Sequence, residues 1–324
     1  MEPKDNEISK LEARAWTTEG SVSMLNARSV LSAPHREDFS GKAVPCDGFC
    51  RSLTECRCSL EDPHEMPFPE SERVLYDHNT LEEVICQVRF APILKIDTEI
   101  PAAFQDGVRS FVPMYRRAQA TVNLPPGIPI EIAQAVASAS PPVHEFFTPD
   151  EQWKVGLARD FVALSTRAYE NWRHFRERFA VVARFLRETY GPALLMRTGL
   201  RYRNRINRAA LGLADASWGD LIEPRFAGEL ADSAVGSSVV HILRELVISL
   251  SGNVGQVRIV HGLERLADDT ETYVIDGDFF TDTHLSTEGV IDVLDEFNRK
   301  AGRLYRWYAT DRLHNAMGPR PSPH

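Results

Sequence analysis

Between Met196 and Asn207 the chain reads Met-Arg-Thr-Gly-Leu-Arg-Tyr-Arg-Asn-Arg-Ile-Asn. With the two-residue period of a strand, Arg197, Arg201, Arg203 and Arg205 share one face with Gly199. Guanidinium groups one pleat apart repel one another, so this face needs carboxylates, phosphate or open water opposite it. Phosphate and carboxylate both match the guanidinium fork, which makes the face a candidate anion or partner site. Asp276, Asp278 and Asp282, around Phe279-Phe280, could supply the complement. Asp276 and Asp278 project to one side of a strand, where they can pair with Arg197, Arg201, Arg203 or Arg205 as a cross-strand ladder. The ladder is the expected arrangement; an arginine face open to an external anion and a divalent-metal site at the aspartates are the alternatives.

Other reactive residues are weaker candidates. Cys46, Cys50, Cys56 and Cys58 could bind zinc as thiolates, but their spacing departs from paired Cys-x-x-Cys knuckles and an uncoordinated segment is expected. Cys86 alternates with apolar neighbours and reads as a small core residue. The ten histidines are dispersed, and His241 and His261, in or beside expected strands, read as structural or surface groups. There is no Gly-x-x-x-x-Gly-Lys loop, Gly-x-Gly-x-x-Gly turn, His-Glu-x-x-His or Gly-x-Ser-x-Gly. No catalytic residue, metal or cofactor is therefore assigned. A non-enzymatic binding or interaction module is the leading reading, with a nucleic-acid or nucleotide-processing protein using the arginine face as the alternative.

Composition sets bounds on these readings. The 324 residues, 43% hydrophobic and 26% charged, suffice for a sizeable core, and a net charge of -9 opposes non-specific coating of nucleic acid or anionic membrane. The N-terminus is acidic and polar and no apolar run reaches membrane-span length, so a cytoplasmic protein with no membrane partner is expected. An odd number of cysteines, five, fits reduced thiols.

The elements that must position the arginines follow from periodicity. Residues 1–73 lack helical or strand patterning and are expected to be a disordered extension, with Met66 a candidate start. From there, residues 74–318 read as one α+β domain. Val84, Cys86, Val88 and Phe90 alternate as a first strand, and a short helix follows Pro101. The proline-rich stretch Leu124–Pro142 reads as loop. Trp153–Leu157 and Phe161–Thr166 form a hairpin. A long helix capped by Asn171 runs to Gly191-Pro192 on the stripe Trp172, Phe175, Phe179, Val182, Phe185 and Leu186, its charged face solvated. After the basic strand come a short helix near Ser217–Ile222, a hairpin across Ser251–Gly255, a strand from Tyr273, and a last helix capped by Ser286 or Thr287 whose stripe continues to Leu313.

Strand, helix, hairpin and long helix thus occur twice, as halves 74–191 and 192–318 with Val88-Arg89-Phe90 matching Leu200-Arg201-Tyr202; a duplicated unit and a single irregular domain both fit. Either way the fold expected is α+β, a largely antiparallel sheet with long helices packed on one face. Near the end of the last helix, Tyr305, Trp307 and Tyr308 either seal the core or reach a second copy of the chain, where Asp311 and Arg312 could meet opposite charges.

Four ordered motifs carry a family resemblance. They are Tyr76-x-x-Asn79-x-Leu81-x-Glu83-Val84-Ile85-x-Gln87-Val88-Arg89-Phe90, Gly199-Leu200-Arg201-Tyr202-x-Asn204-Arg205-Ile206, Asp276-x-Asp278-Phe279-Phe280 and Thr310-Asp311-Arg312-Leu313. Together, over about Tyr76 to Met317, they resemble a sporadically distributed, uncharacterised bacterial protein family. The resemblance implies a chain of about 250 residues starting shortly before the first motif, with no assigned reaction. It also implies carriage on accessory gene clusters and hence a conflict or defence role, by association alone. The cysteine-bearing N-terminus and the proline-rich insertion depart from that pattern.

Overall fold

The computed structural model describes residues 68–119, 142–250, 252 and 254–321, all belonging to one compact unit. The four-cysteine segment, Met66 and most of the proline-rich insertion lie outside the described residues. In chain order the elements are β1 (Val74–Tyr76), β2 (Leu81–Phe90), α1 (Lys95–Thr98), α2 (Ala102–Val108), β3 (Met114–Gln119), β4 (Pro142–Phe147), β5 (Trp153–Ala158), β6 (Phe161–Thr166) and α3 (Trp172–Tyr190). The second part holds β7 (Leu195–Ile206), α4 (Trp218–Leu221), α5 (Pro224–Ala227), β8 (Ile242–Leu250), β9 (Gly255–Arg265), β10 (Glu271–Thr281), α6 (Val290–Tyr308), α7 (Asp311–Ala316) and β11 (Pro319–Pro321). Among the described residues no helix is long and apolar enough to cross a membrane.

Nine strands form one sheet in the order β3-β4-β5-β6-β2-β7-β10-β9-β8, and every pair in it is antiparallel. The fold is thus α+β. Helices α3 and α6 cover one face, on which Val84, Cys86, Val88, Leu200, Tyr202, Ile275 and Phe279 join Phe175, Phe179, Phe297 and Leu304 in a single core. Strand alternation puts the odd-numbered arginines of β7 on the opposite face. The first-passing and second-passing strands meet at the centre, where β2 pairs with β7.

Local chemistry accounts for the long helices. Asn171 accepts the His174 N–H and Gly191, at φ 53°, ends α3 in the left-handed region that a side chain disfavours. Helix α2 approaches α3 at Gly107, where a methyl group would overlap the Phe185 ring. Burial also pushes the Cys86 thiol well above its ordinary pKa, as fits a core residue.

Several expectations need correction. Phe68 is buried against Trp307, so the packed body begins inside the expected N-terminal extension. Strands β3 and β4, unforeseen, extend the sheet beyond the first hairpin. Helix α6 starts after Gly289 with no side-chain cap, while Ser286 Oγ accepts the Gly289 N–H at 3.2 Å, one turn too early. The last stripe is two helices: Ala309 is extended, and Thr310 caps a new one, α7, by accepting the Leu313 N–H. Tyr308 and Leu313 lie in the core and Trp307 packs on Phe226 at 4.6 Å, so this end of the chain seals the body it belongs to.

Candidate functional site: the central arginine ladder

The four arginines are presented by β7, the strand flanked by β2 and β10 at the centre of the sheet. Register places Asp276 opposite Arg203 and Asp278 opposite Arg201 on β10, and Glu83 opposite Arg203 on β2. One irregularity adds a further acid. Between Leu81 and Glu83 the pairing slips by one residue, a bulge that leaves Glu82 as the extra residue and turns it toward the same arginines.

Each guanidinium has a carboxylate. Arg197 Nη2 donates to Asp278 Oδ2 at 2.9 Å and its guanidinium lies 4.6 Å above the Phe280 ring. Arg201 Nε donates to Asp276 Oδ1 at 2.7 Å, with a second bond from Nη2 to Oδ2, a bidentate pair. Arg203 bridges three acids, donating to Glu82 at 2.8 Å, to Glu264 at 2.8 and 2.9 Å and to Asp276 at 3.3 Å. Arg205 Nη1 donates to Glu264 at 3.1 Å and to the Thr272 hydroxyl at 3.1 Å. Its Nε also lies 3.0 Å from Glu82, closing an ion pair.

Burial and charge compete here with visible results. Burial opposes the Arg201 cation, but the hydrogen bonds and charge of Asp276, with Asp278 and Glu83 nearby, outweigh it and hold its pKa above the ordinary arginine value. Arg203 follows the same balance, through Glu82, Glu264 and Asp276. Burial also opposes the Glu82 anion, and hydrogen bonds from Arg205 and Arg203 overcome it, so its pKa falls. At Glu83 and Asp278 burial wins against the neighbouring arginines and the pKa rises. The five acids that serve β7 (Glu82, Glu83, Glu264, Asp276 and Asp278) outnumber its four arginines, so these arginines carry no surplus positive charge.

The remaining sequence candidates lie elsewhere. Asp311 pairs with Arg306 and Arg312 Nη1 donates to Asp220 at 3.0 Å, both at the α6–α7 corner and away from the ladder. Asp282 follows β10 and lines a separate small cleft with Phe280 and Thr283. Among the described residues no three His, Cys, Asp or Glu side chains converge as a metal site would require. Glu82 and Glu264 were missed by sequence reasoning. Glu264 shares strand parity with Arg258, a signal that could have found it, whereas nothing local announces the bulge at Glu82.

His261, by contrast, is buried on the helix-covered face, its Nδ1 2.7 Å from the Tyr273 hydroxyl. Burial, helped by the charge of Arg244, holds its pKa down at about 4. The ladder draws together three of the four motifs of the family resemblance, since β2, β7 and β10 are neighbours, while the fourth caps α7. No family model and no curated protein matches this chain.

Proposed function

We propose that the protein is a non-enzymatic binding or interaction module whose central ladder is structural and whose contacts with a protein partner, or with a second copy, are made at the sheet's edge. The observation that carries this reading is the carboxylate supplied to every guanidinium of β7, from its neighbours β2 and β10 and from β9 beyond. A phosphate backbone would have to displace those acids and bring its own charge beside them, which argues against the nucleic-acid alternative. The edge is better suited. Strand β8 ends the sheet and pairs only with β9 among the described residues, and Leu243 and Val247 project exposed from it beside exposed Val240. An unpaired strand with apolar side chains on one face is a template for adding another strand. The family resemblance, with its accessory-cluster association, is part of this proposal and supports no particular partner.

The test is co-purification from the native host, with light scattering of the isolated chain. A stoichiometric protein partner or a dimer, free of nucleic acid and lost on Leu243→Glu with Val247→Glu, is the expected result. Salt-sensitive recovery of RNA or DNA that vanishes on Arg203→Glu would overturn it. So would turnover of a nucleotide substrate lost on Asp278→Ala.

A further inference from the structure

A second group of arginines is held quite differently. Residues 69–72, the Glu223–Arg225 turn and the end of α6 enclose a cleft of about 460 Å³, within the size range of small-molecule sites. Arg225, Arg303 and Arg306 line it, together with Trp307 and His314.

None of these three guanidiniums has the bidentate carboxylate that Arg201 has. The side chain of Arg303 is only 17% exposed, and its one ion-pair partner among the described residues is Glu70, at 3.5 Å, itself 90% exposed. Charge-assisted N–H···O bonds normally close to about 2.7–2.9 Å, so this mostly buried cation is poorly answered. Arg306 donates to the Ala309 carbonyl at 2.6 Å and to Asp311. Arg225 is 3.4 Å from Glu223 and lies 5.6 Å above the Trp307 ring.

The segment that brings Glu70 is held at both ends. Phe68 is buried with its ring 5.3 Å from that of Trp307, and β1 pairs with β11, while residues 69–73 between them have no regular structure. Glu70 is therefore delivered to Arg303 by a short strap, not by a strand register of the kind that fixes Asp276. Three arginines face three carboxylates in the cleft wall, Glu70, Glu72 and Glu223, and removing Glu70 alone would leave a surplus positive charge.

We propose that this cleft binds the phosphate group of a small molecule, with Arg303 and Arg225 as its principal ligands and Glu70 as the internal carboxylate that the phosphate displaces. Displacement is cheap because Glu70 is solvated and loses one long contact, whereas a phosphate can accept from Arg303 and Arg225 together. The site is remote in character from the ladder and does not depend on the edge-strand reading.

Titration calorimetry of the full chain at low salt, with pyrophosphate as the probe, tests it. Saturable one-to-one binding is expected, tighter by about fivefold in Glu70→Gln and weaker by about tenfold in both Arg303→Met and Arg225→Met. Arg225 is exposed, so its variant decides the matter if Arg303→Met fails to fold. Absence of binding in both wild type and Glu70→Gln would overturn the proposal. Equal binding by Arg225→Met and wild type would mark an adventitious ion only and overturn it too, and a preference for succinate over pyrophosphate would overturn the assignment to phosphate.

Discussion

The ladder on β7 and the cleft beside Trp307 both gather arginines, yet they differ in what holds the counter-charge. In the ladder the acids stand on neighbouring strands, so sheet register fixes them opposite the guanidiniums, and Asp276 is 8% exposed. In the cleft the acids come from a strap and a turn and pair at longer range, 3.4 and 3.5 Å, and Glu70 sits in solvent. A guanidinium is available to a ligand when its partner is loosely held, not merely because it is an arginine. The acidic net charge of the whole chain hides this contrast, since charge sums carry no geometry.

Breaking the ladder should give the largest effect. Asp276→Ala leaves Arg201 and one arm of Arg203 with a cavity where a carboxylate stood. Losing one partner of a buried pair costs about 3–5 kcal/mol, which urea unfolding would read as a clear drop in midpoint. Replacing both partners, in Arg201→Met with Asp276→Leu, should recover much of that loss, since the pair's desolvation cost disappears with its attraction. If the single variant loses less than an exposed pair would, the ladder is looser than its hydrogen bonds imply.

A pH experiment addresses the packing behind Trp307, where Tyr308 stacks on Phe226 beside His261. His261 has a folded-state pKa of about 4 against an ordinary value of 6.5. A depressed pKa means the unfolded state binds the proton more readily, so this contribution is fully present above pH 6.5 and is lost as the pH falls through the window to about 4. The shift corresponds to at most ~3 kcal/mol. His261→Gln should flatten the decline in melting temperature between these two pH values. Glu83 and Asp278, with raised pKa values, act in the opposite sense, since their burial costs stability as the pH rises through their folded-state titration, and the lowered Glu82 adds an acid loss only at the low end of that window.

Outside both regions, helix α3 offers a neutral reference. Asn171→Ala removes the acceptor of the His174 N–H, a bond of 3.0 Å, and should cost about 1 kcal/mol with no change in salt dependence. Thermal melts at low and high salt, run beside Asp276→Ala, would show whether the ladder variant carries the larger electrostatic share.

How far these features were legible in the sequence follows the range of the interactions. The alternation of Val84, Cys86, Val88 and Phe90, the stripe of α3 with its Asn171 and Gly191 ends, and the capping box of Ser217 and Asp220 are local, and periodicity or capping chemistry exposes them. Strands β3 and β4 were obscure because Met-Tyr-Arg-Arg-Ala-Gln and Pro-Val-His-Glu-Phe-Phe do not alternate, and their polar groups are satisfied across the sheet, as with Arg116 on Glu145 and Tyr115 on His144. The break before α7 left a trace in the sequence, since Leu313 follows Tyr308 by five residues where Tyr308 follows Leu304 by four, and Thr310-Asp311 carried an N-cap signal. Asp276 and Asp278 could be paired with arginines by parity alone. Glu82 required a bulge, and the cleft required segments 245 residues apart, from Pro69 to His314, to be neighbours.

The smallest effect is expected at the corner where α6 meets α7. Sequence spacing made Asp311 and Arg312 candidates for charges buried at a contact between copies, which would make Asp311→Ala unusually harmful. In the structure Asp311 is 84% exposed, and the Arg312–Asp220 pair is about half exposed on both sides, at 52% and 50%. Exposed pairs gain little Coulomb energy through water and pay side-chain entropy, so their worth is about 0–1 kcal/mol. Asp311→Ala and Arg312→Ala should each shift the unfolding midpoint barely beyond error, with high salt erasing the difference. Asp311 has a second connection, because it engages Arg306 beside the cleft. Its removal should therefore leave stability nearly unchanged while freeing Arg306 to strengthen pyrophosphate binding slightly, less than Glu70→Gln does. A drop of several kcal/mol in Asp311→Ala, or a concentration-dependent melting temperature abolished by it, would show that this corner is covered by another chain and that its exposure in the isolated chain misleads.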